Sequence, residues 1–238
     1  MKLGGIVLAI LLVIGTITPL DARSAQGSQD QSRGERLHRE ETVIKDLHLA
    51  LAHTGGAARI YFHAACYQGD DSRVLFPVID VQPPQSGESG LEAVQKIFRN
   101  DKDARVTETR SGIVTIVIGK VSGAILSTKL PLLKLSRSAR YNPGGPGGAI
   151  DTIESAAVVK AAAHKLGIHQ EPYFYIGLVE PPMKTLPHLP PEMRNVTVDQ
   201  ALDTIAKTFP GVVVYGECTR PDGGVLIDIN FDWFKTGD

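Results

Sequence analysis

A short amphipathic helix followed by a two-stranded hairpin occurs twice in this chain, and that duplication limits the folds open to it. Ser89-Gly-Leu-Glu-Ala-Val-Gln-Lys-Ile-Phe98 precedes the strand-like Ala104–Thr109 and Gly112–Ile118. Thr197-Val-Asp-Gln-Ala-Leu-Asp-Thr-Ile-Ala206 precedes Val212–Tyr215 and Gly224–Phe231. Leu91, Val94, Ile97 and Phe98 fall on one helical face, as do Leu202, Ile205, Ala206 and Phe209. A helix that is apolar on one side only has to bury that side, and the neighbouring strands predict a sheet as its partner. Ser89 with Glu92, and Thr197 with Gln200, stand in the spacing of a capping box, in which a hydroxyl accepts from a free helix N–H and the later side chain reaches back. Glycines in Arg110-Ser-Gly112 and in Arg220-Pro-Asp-Gly-Gly224 suit the tight hairpin turns.

Each copy has a helix and strand before it. Thr42–His53 places Ile44, Leu47, His48 and Leu51 on one face, and Gly55-Gly56 closes it. Arg59–Cys66 reads as a strand with Ile60, Phe62, Ala64 and Cys66 on one side, and Val74–Val81 as a second, marked as an edge or a bulge by Pro77. In the second half, Ile153–Leu166 predicts an alanine-rich helix ended by Gly167, Pro172–Val179 a strand, and Met193–Thr197 a short strand after a proline-rich stretch. The expected fold class is therefore α+β. It consists of two tandem small modules, each helix-strand-strand-helix-strand-strand, with helices packed on a small mixed sheet. Module one covers residues 41–120 and module two 150–238, with a linker over 121–149 that contains Asn142-Pro-Gly-Gly-Pro-Gly-Gly148. Those glycines lack the Lys-Ser/Thr of a phosphate-cradling loop, and the prolines among them remove N–H donors.

The N-terminus carries the compartment signal. Lys2 precedes the apolar run Ile6–Ile14, which is short of the ~20 residues that span a bilayer, and small residues at Ala22 and Ser24 suit a cut near Ser24. Residues 1–24 read as a signal peptide, with an uncleaved N-terminal anchor as the alternative. Residues 25–40 are polar and charged, too poor in apolar side chains to offset their ordering entropy, and read as a disordered leader. A formal net charge of −1 offers no basic excess for a nucleic-acid backbone. No integral membrane segment is expected after signal removal.

The order of elements resembles the short N-terminal (STN) domain family of secretins and TonB-dependent receptors. Val196-Thr-Val-Asp-Gln-Ala-Leu-Asp-Thr-Ile-Ala206 followed by Val212–Tyr215 carries the resemblance, and Gly90–Ile97 echoes it. The resemblance implies an envelope location and the docking of partners. No outer-membrane barrel follows the two copies, which implies stand-alone modules.

A catalytic constellation is not legible. There is no Gly-x-Ser-x-Gly elbow. His63 and Cys66, three apart on a strand, point to opposite faces and cannot chelate one ion. Glu108 and Glu217 lie near strand ends, at a separation that sequence leaves open. No catalytic, cofactor or metal residue is assigned. The two cysteines, Cys66 and Cys218, one per half, are either a disulfide linking the halves or two small buried residues. Tyr173, Phe174, Tyr175 and Trp233 are the candidate interaction surface, since exposed aromatic side chains mark binding faces. The functional expectation is an exported, non-catalytic protein-interaction or assembly module with a protein partner in the cell envelope. The alternative is a secreted hydrolase or small-ligand binder with a cleft between the modules.

Overall fold

Val212-Val-Val-Tyr215 alternates its side chains across a strand, so apolar groups stand on both faces. A three-stranded module with helices on one side would leave one of those rows in water. The computed structural model shows how both rows are covered. It describes residues 40–51, 56–66, 74–85, 87–135, 145–170 and 187–234. In chain order these form helix α1 (40–51), strand β1 (Ala57–Ala65), helix α2 (Gly90–Ile97), strands β2 (Ala104–Glu108), β3 (Ile113–Ile118) and β4 (Lys129–Lys134), helices α3 (Pro146–Ser155) and α4 (Ala157–Lys165), strands β5 (Ile168–Gln170) and β6 (Glu192–Thr197), helix α5 (Val198–Thr208), and strands β7 (Gly211–Thr219) and β8 (Val225–Trp233).

The main sheet has six strands in the order β2-β3-β1-β7-β8-β5, and β4 pairs with β6 in a small second sheet. Both halves contribute strands in the same order. Hairpin β2–β3 has β1 parallel to its second strand, and hairpin β7–β8 has β5 parallel to its second strand. The halves meet where β1 runs parallel to β7, from Ala58 opposite Val212 to Ala65 opposite Thr219. Because β2 is antiparallel to β3 and β1, while β7 runs with β1, the second half is turned over relative to the first.

That turn sends the helices to opposite faces. On one face α1 and α2 pack Leu47, Leu51, Val94, Ile97 and Phe98 against Ile60, Phe62, Ile116, Val212 and Val214. On the other, α3, α4 and α5 pack Ile153, Val159, Leu202 and Ile205 against Val213, Tyr215, Ile229 and Phe231. Leu130, Leu133 and Met193 of the small sheet join this second core. Strand β7 is consequently buried at every position but its last, as a central strand covered on both faces should be.

The mixed α+β class is as expected, but separate modules with a sheet each are not what the fold contains. From Arg36 to Asp238 the chain is one compact unit around a shared sheet. Of the expected Val74–Val81 strand the described residues show one bridge, Val74 with Cys66, and Pro77 removes a ladder donor from the segment. Two described parts of the 121–149 stretch are built into the fold: β4 pairs with β6, and Pro146-Gly147-Gly148 forms the first turn of α3, where a proline loses nothing because its missing N–H would be unpaired anyway. The single helix expected over 153–166 is two, broken at Ala156, whose ψ of 129° is extended. Thr197 and Gln200 form the full capping box, whereas Ser89 caps nothing. Gly90 enters α2 at φ +76°, outside the helical basin, which displaces Ser89 from the first turn. Residues 1–39, 136–144 and 171–186 lie outside the described residues, and with them the signal peptide, the leader, Pro172–Val179 and the Tyr173-Phe174-Tyr175 run.

Candidate functional site

The positions of β1 that do not serve the first core carry Arg59, Tyr61 and His63, and pleating aims all three at the face covered by α5. Register sets Arg59 beside Thr115 of β3, Tyr61 beside Tyr215 of β7, and His63 beside Glu217 of β7. Helix α5 brings Asp199 and Asp203, four apart on one face, down onto them. The result is a polar seam through the second core. Arg59, Thr115 and Glu217 are buried, with Glu217 1% exposed.

One end of the seam is centred on Arg59. Its Nε donates to Thr115 Oγ1 at 2.8 Å, and its Nη1 donates to Tyr61 Oη at 3.1 Å and to Asp199 Oδ1 at 3.0 Å. Asp203 completes the ion-pair cluster. Tyr61 Oη donates to Asp199 Oδ1 at 2.8 Å, and the guanidinium carbon lies 5.0 Å from the Tyr61 ring centroid, within cation–π range. Burial pushes the Tyr61 phenol far up, against the pull of Arg59. Burial also raises the Asp203 carboxyl, again against Arg59. The other end is centred on Glu217. Its carboxylate accepts from Tyr215 Oη, from Ser122 N and from Ser122 Oγ, each at 2.8 Å. Burial, followed by the charge of Glu217, drives the Tyr215 phenol up. The two ends touch through the edge-to-face contact of Tyr61 with Tyr215, 5.6 Å between centroids.

The connectivity limits the chemistry. In a nucleophilic relay a histidine stands between hydroxyl and carboxylate. Here Ser122 donates straight to Glu217. His63 does stand between Thr219 Oγ1, 3.3 Å from its Nε2, and Glu217 Oε2, but its Nδ1 is 3.8 Å from that oxygen, beyond hydrogen-bond range, so the carboxylate does not orient the ring. The start of α5 is equally committed. Val198 N donates to Thr128 O, Asp199 N to Leu126 O and Gln200 N to Thr197 Oγ1, so these three amides are not free to bind an anion. Glu108 sits on β2, three strands across from β7, and the registers set it level with Val212, five residues short of Glu217, so the two lie about 20 Å apart at ordinary strand spacing and rise, too far for a glycosidase carboxylate pair.

Cys66 and Cys218 are joined by a disulfide, with Sγ atoms 2.02 Å and Cα atoms 5.0 Å apart. It lies at the end of the β1–β7 ladder, where Cys218 stands opposite Ala64. Trp233 is half-buried at the end of β8 and packs edge-to-face on Phe209 and Phe231, so most of its ring serves the second core. Comparison with family models, curated proteins and solved structures finds no match.

Sequence reading missed the seam. Arg59-x-Tyr61-x-His63 was visible as the second face of a strand, and Asp199 with Asp203 as an i, i+4 acidic pair. Either looks like an ordinary solvated face. What makes them one cluster is the β3-β1-β7 neighbourhood, which no local pattern encodes.

Proposed function

We propose that this chain is an exported protein that carries its Cys66–Cys218 disulfide in the oxidising cell envelope and acts there as a non-catalytic docking or assembly module. The observation that carries the reading is the internal commitment of the seam. The carboxylates of Asp199, Asp203 and Glu217 answer to Arg59, Tyr61, Ser122 and Tyr215 of the same chain, as braces between helix and sheet do and as groups waiting for substrate do not. The disulfide fits an oxidising compartment. Among the described residues no helix is long and apolar enough to cross a membrane. The order α3/α4, β5, β6, α5, β7, β8 follows the helix-strand-strand-helix-strand-strand order on which the STN resemblance rests, and supports the docking role that the resemblance implies.

The test is the intact mass of the protein recovered from the envelope or the medium, before and after reduction and alkylation, together with capture of its partner by cross-linking. Loss of about the first two dozen residues and a two-hydrogen deficit are expected, with one saturable partner. An uncut chain with both thiols free would refute the export half of the reading. A protein that cross-links to nothing in its own compartment would refute the docking half.

A further inference from the structure

Strand β2 ends the main sheet, and its hydrogen-bonding pattern fixes which groups face outward. Thr109 N donates to Ile113 O, and Gly119 N donates to Asp103 O. With Thr107 opposite Thr115 and Arg105 opposite Val117, the odd residues of β2 form the hydrogen-bonded pairs with β3. The N–H and C=O groups of Ala104, Val106 and Glu108 therefore point away from the sheet. The Ala104 N–H is used by Asp101, through its carbonyl and its carboxylate. Among the described residues those of Val106 and Glu108 have no backbone partner. They are two donors and two acceptors one pleat repeat apart, about 7 Å, and the ligand chemistry that matches such a row is an extended polypeptide backbone.

Resting on the docking reading above, we propose that the β2 edge is the docking site and that its occupant is an antiparallel strand of another protein, of defined charge order. Arg105 and Glu108 are both exposed, and among the described residues neither forms an ion pair. They lie on opposite faces of the strand, Arg105 with Thr107 and Glu108 with Val106. Residues directly opposite each other in an antiparallel pair share a face, so a second copy can never set its Glu108 against Arg105. Two of its possible registers instead oppose Arg105 to Arg105 or Glu108 to Glu108, which is unfavourable. A different chain satisfies both charges. Read from its N-terminus, it presents a basic residue to Glu108, a β-branched residue to Thr107, an apolar residue to Val106 and an acidic residue to Arg105.

The test uses the oxidised full chain and two nine-residue peptides, one centred on Lys-Thr-Val-Glu and one on the reversed Glu-Thr-Val-Lys. Amide exchange at Val106 and Glu108 should slow at least about fivefold with the first peptide and little with the second. Val106→Pro removes one outward donor without touching the β3 ladder, a place where an edge strand tolerates proline, and should weaken binding about tenfold. Arg105→Glu should weaken it similarly and be rescued by a Lys-Thr-Val-Lys peptide, which guards against a misfolded variant. Equal binding of both peptides, or unchanged exchange at the two amides, overturns the assignment. Capture of the same envelope partner by wild type and Val106→Pro removes β2 from the docking reading and leaves that reading standing. A wild-type chain that captures no partner ends the docking reading itself.

Discussion

Removing the disulfide is the perturbation whose size follows most directly from the structure. Cys66 and Cys218 are separated by 152 residues, so the bridge closes most of the described chain into one loop. In the chain-entropy account, a loop of that length lowers the entropy of the unfolded state enough to stabilise the fold by about 5 kcal/mol. Replacing both cysteines by alanine also trims packing around Cys218, which is fully buried, for roughly 1 kcal/mol more. Urea denaturation at fixed pH should show a loss of about 4–6 kcal/mol and a larger m-value, since the uncrosslinked unfolded chain exposes more surface. The shape of the curve carries further information. The β1–β7 ladder runs from Ala58 to Ala65 independently of the sulfurs, and each core takes residues from both halves. The bridgeless protein should therefore still unfold in one transition. Two transitions would refute the shared sheet. A single transition with a loss below about 1 kcal/mol would refute the unfolded-state argument.

Arg59→Met should cost about 2–4 kcal/mol in the same assay, because it leaves Asp199, Asp203 and Tyr61 facing a buried gap. Asp203→Asn placed on top should recover part of that loss, and strict additivity of the two changes would dissolve the cluster as an energetic unit. Burial and neighbouring acids hold Glu40 and Glu154 up at about 8 and Asp232 up at about 6. The native state keeps protons that the unfolded chain releases above its ordinary carboxyl range. The contribution of these three groups to stability is thus fully present below about pH 4, falls as pH rises from there through 6 and 8, and levels off beyond. Replacing Glu40, Glu154 and Asp232 by their amides should remove that fall, and a difference between wild type and variant that rises over the window would be the wrong sign for this arrangement. Thr197→Ala should cost about 1 kcal/mol through loss of the capping box, while Ser89→Ala should change thermal stability negligibly, since Ser89 makes no cap bond.

What local pattern determines was legible in this chain, and what long-range pairing determines was not. The faces of α2 and α5, both hairpins and the Thr197 cap follow from spacings of three or four residues, or of two, and the structure places them as those spacings require. The same rule misled at Ser89, where the capping spacing is present but Gly90 takes the chain out of the helical basin before the first turn. The 121–149 stretch looked like a linker because Asn142–Gly148 is almost wholly proline and glycine. Ile125, Leu126, Leu130 and Leu133 are nevertheless buried, gathered by a strand partner some sixty residues away.

The join between the halves shows why duplication did not produce two domains. Each hairpin carries apolar side chains on both faces, and each half supplies helices to one face only. Two separate modules would each expose a row of valines or isoleucines. Setting them edge to edge, with one turned over, lets the helices of one half cover part of the other: Val212 and Val214 of β7 lie in the core of α1 and α2, and Tyr61 of β1 lies in the core of α5. The polar seam sits at that join. Arg59 and His63 from the first half meet Asp199, Asp203 and Glu217 from the second, and a slip of β1 by one residue would turn Arg59 and His63 to the face away from those three groups. Apolar rows of similar width tolerate such a slip far better than buried ion pairs do. On this argument the seam selects the register of the parallel pair, and Arg59→Met should loosen that register, seen as faster amide exchange along β1 and β7, beyond what its loss of global stability accounts for.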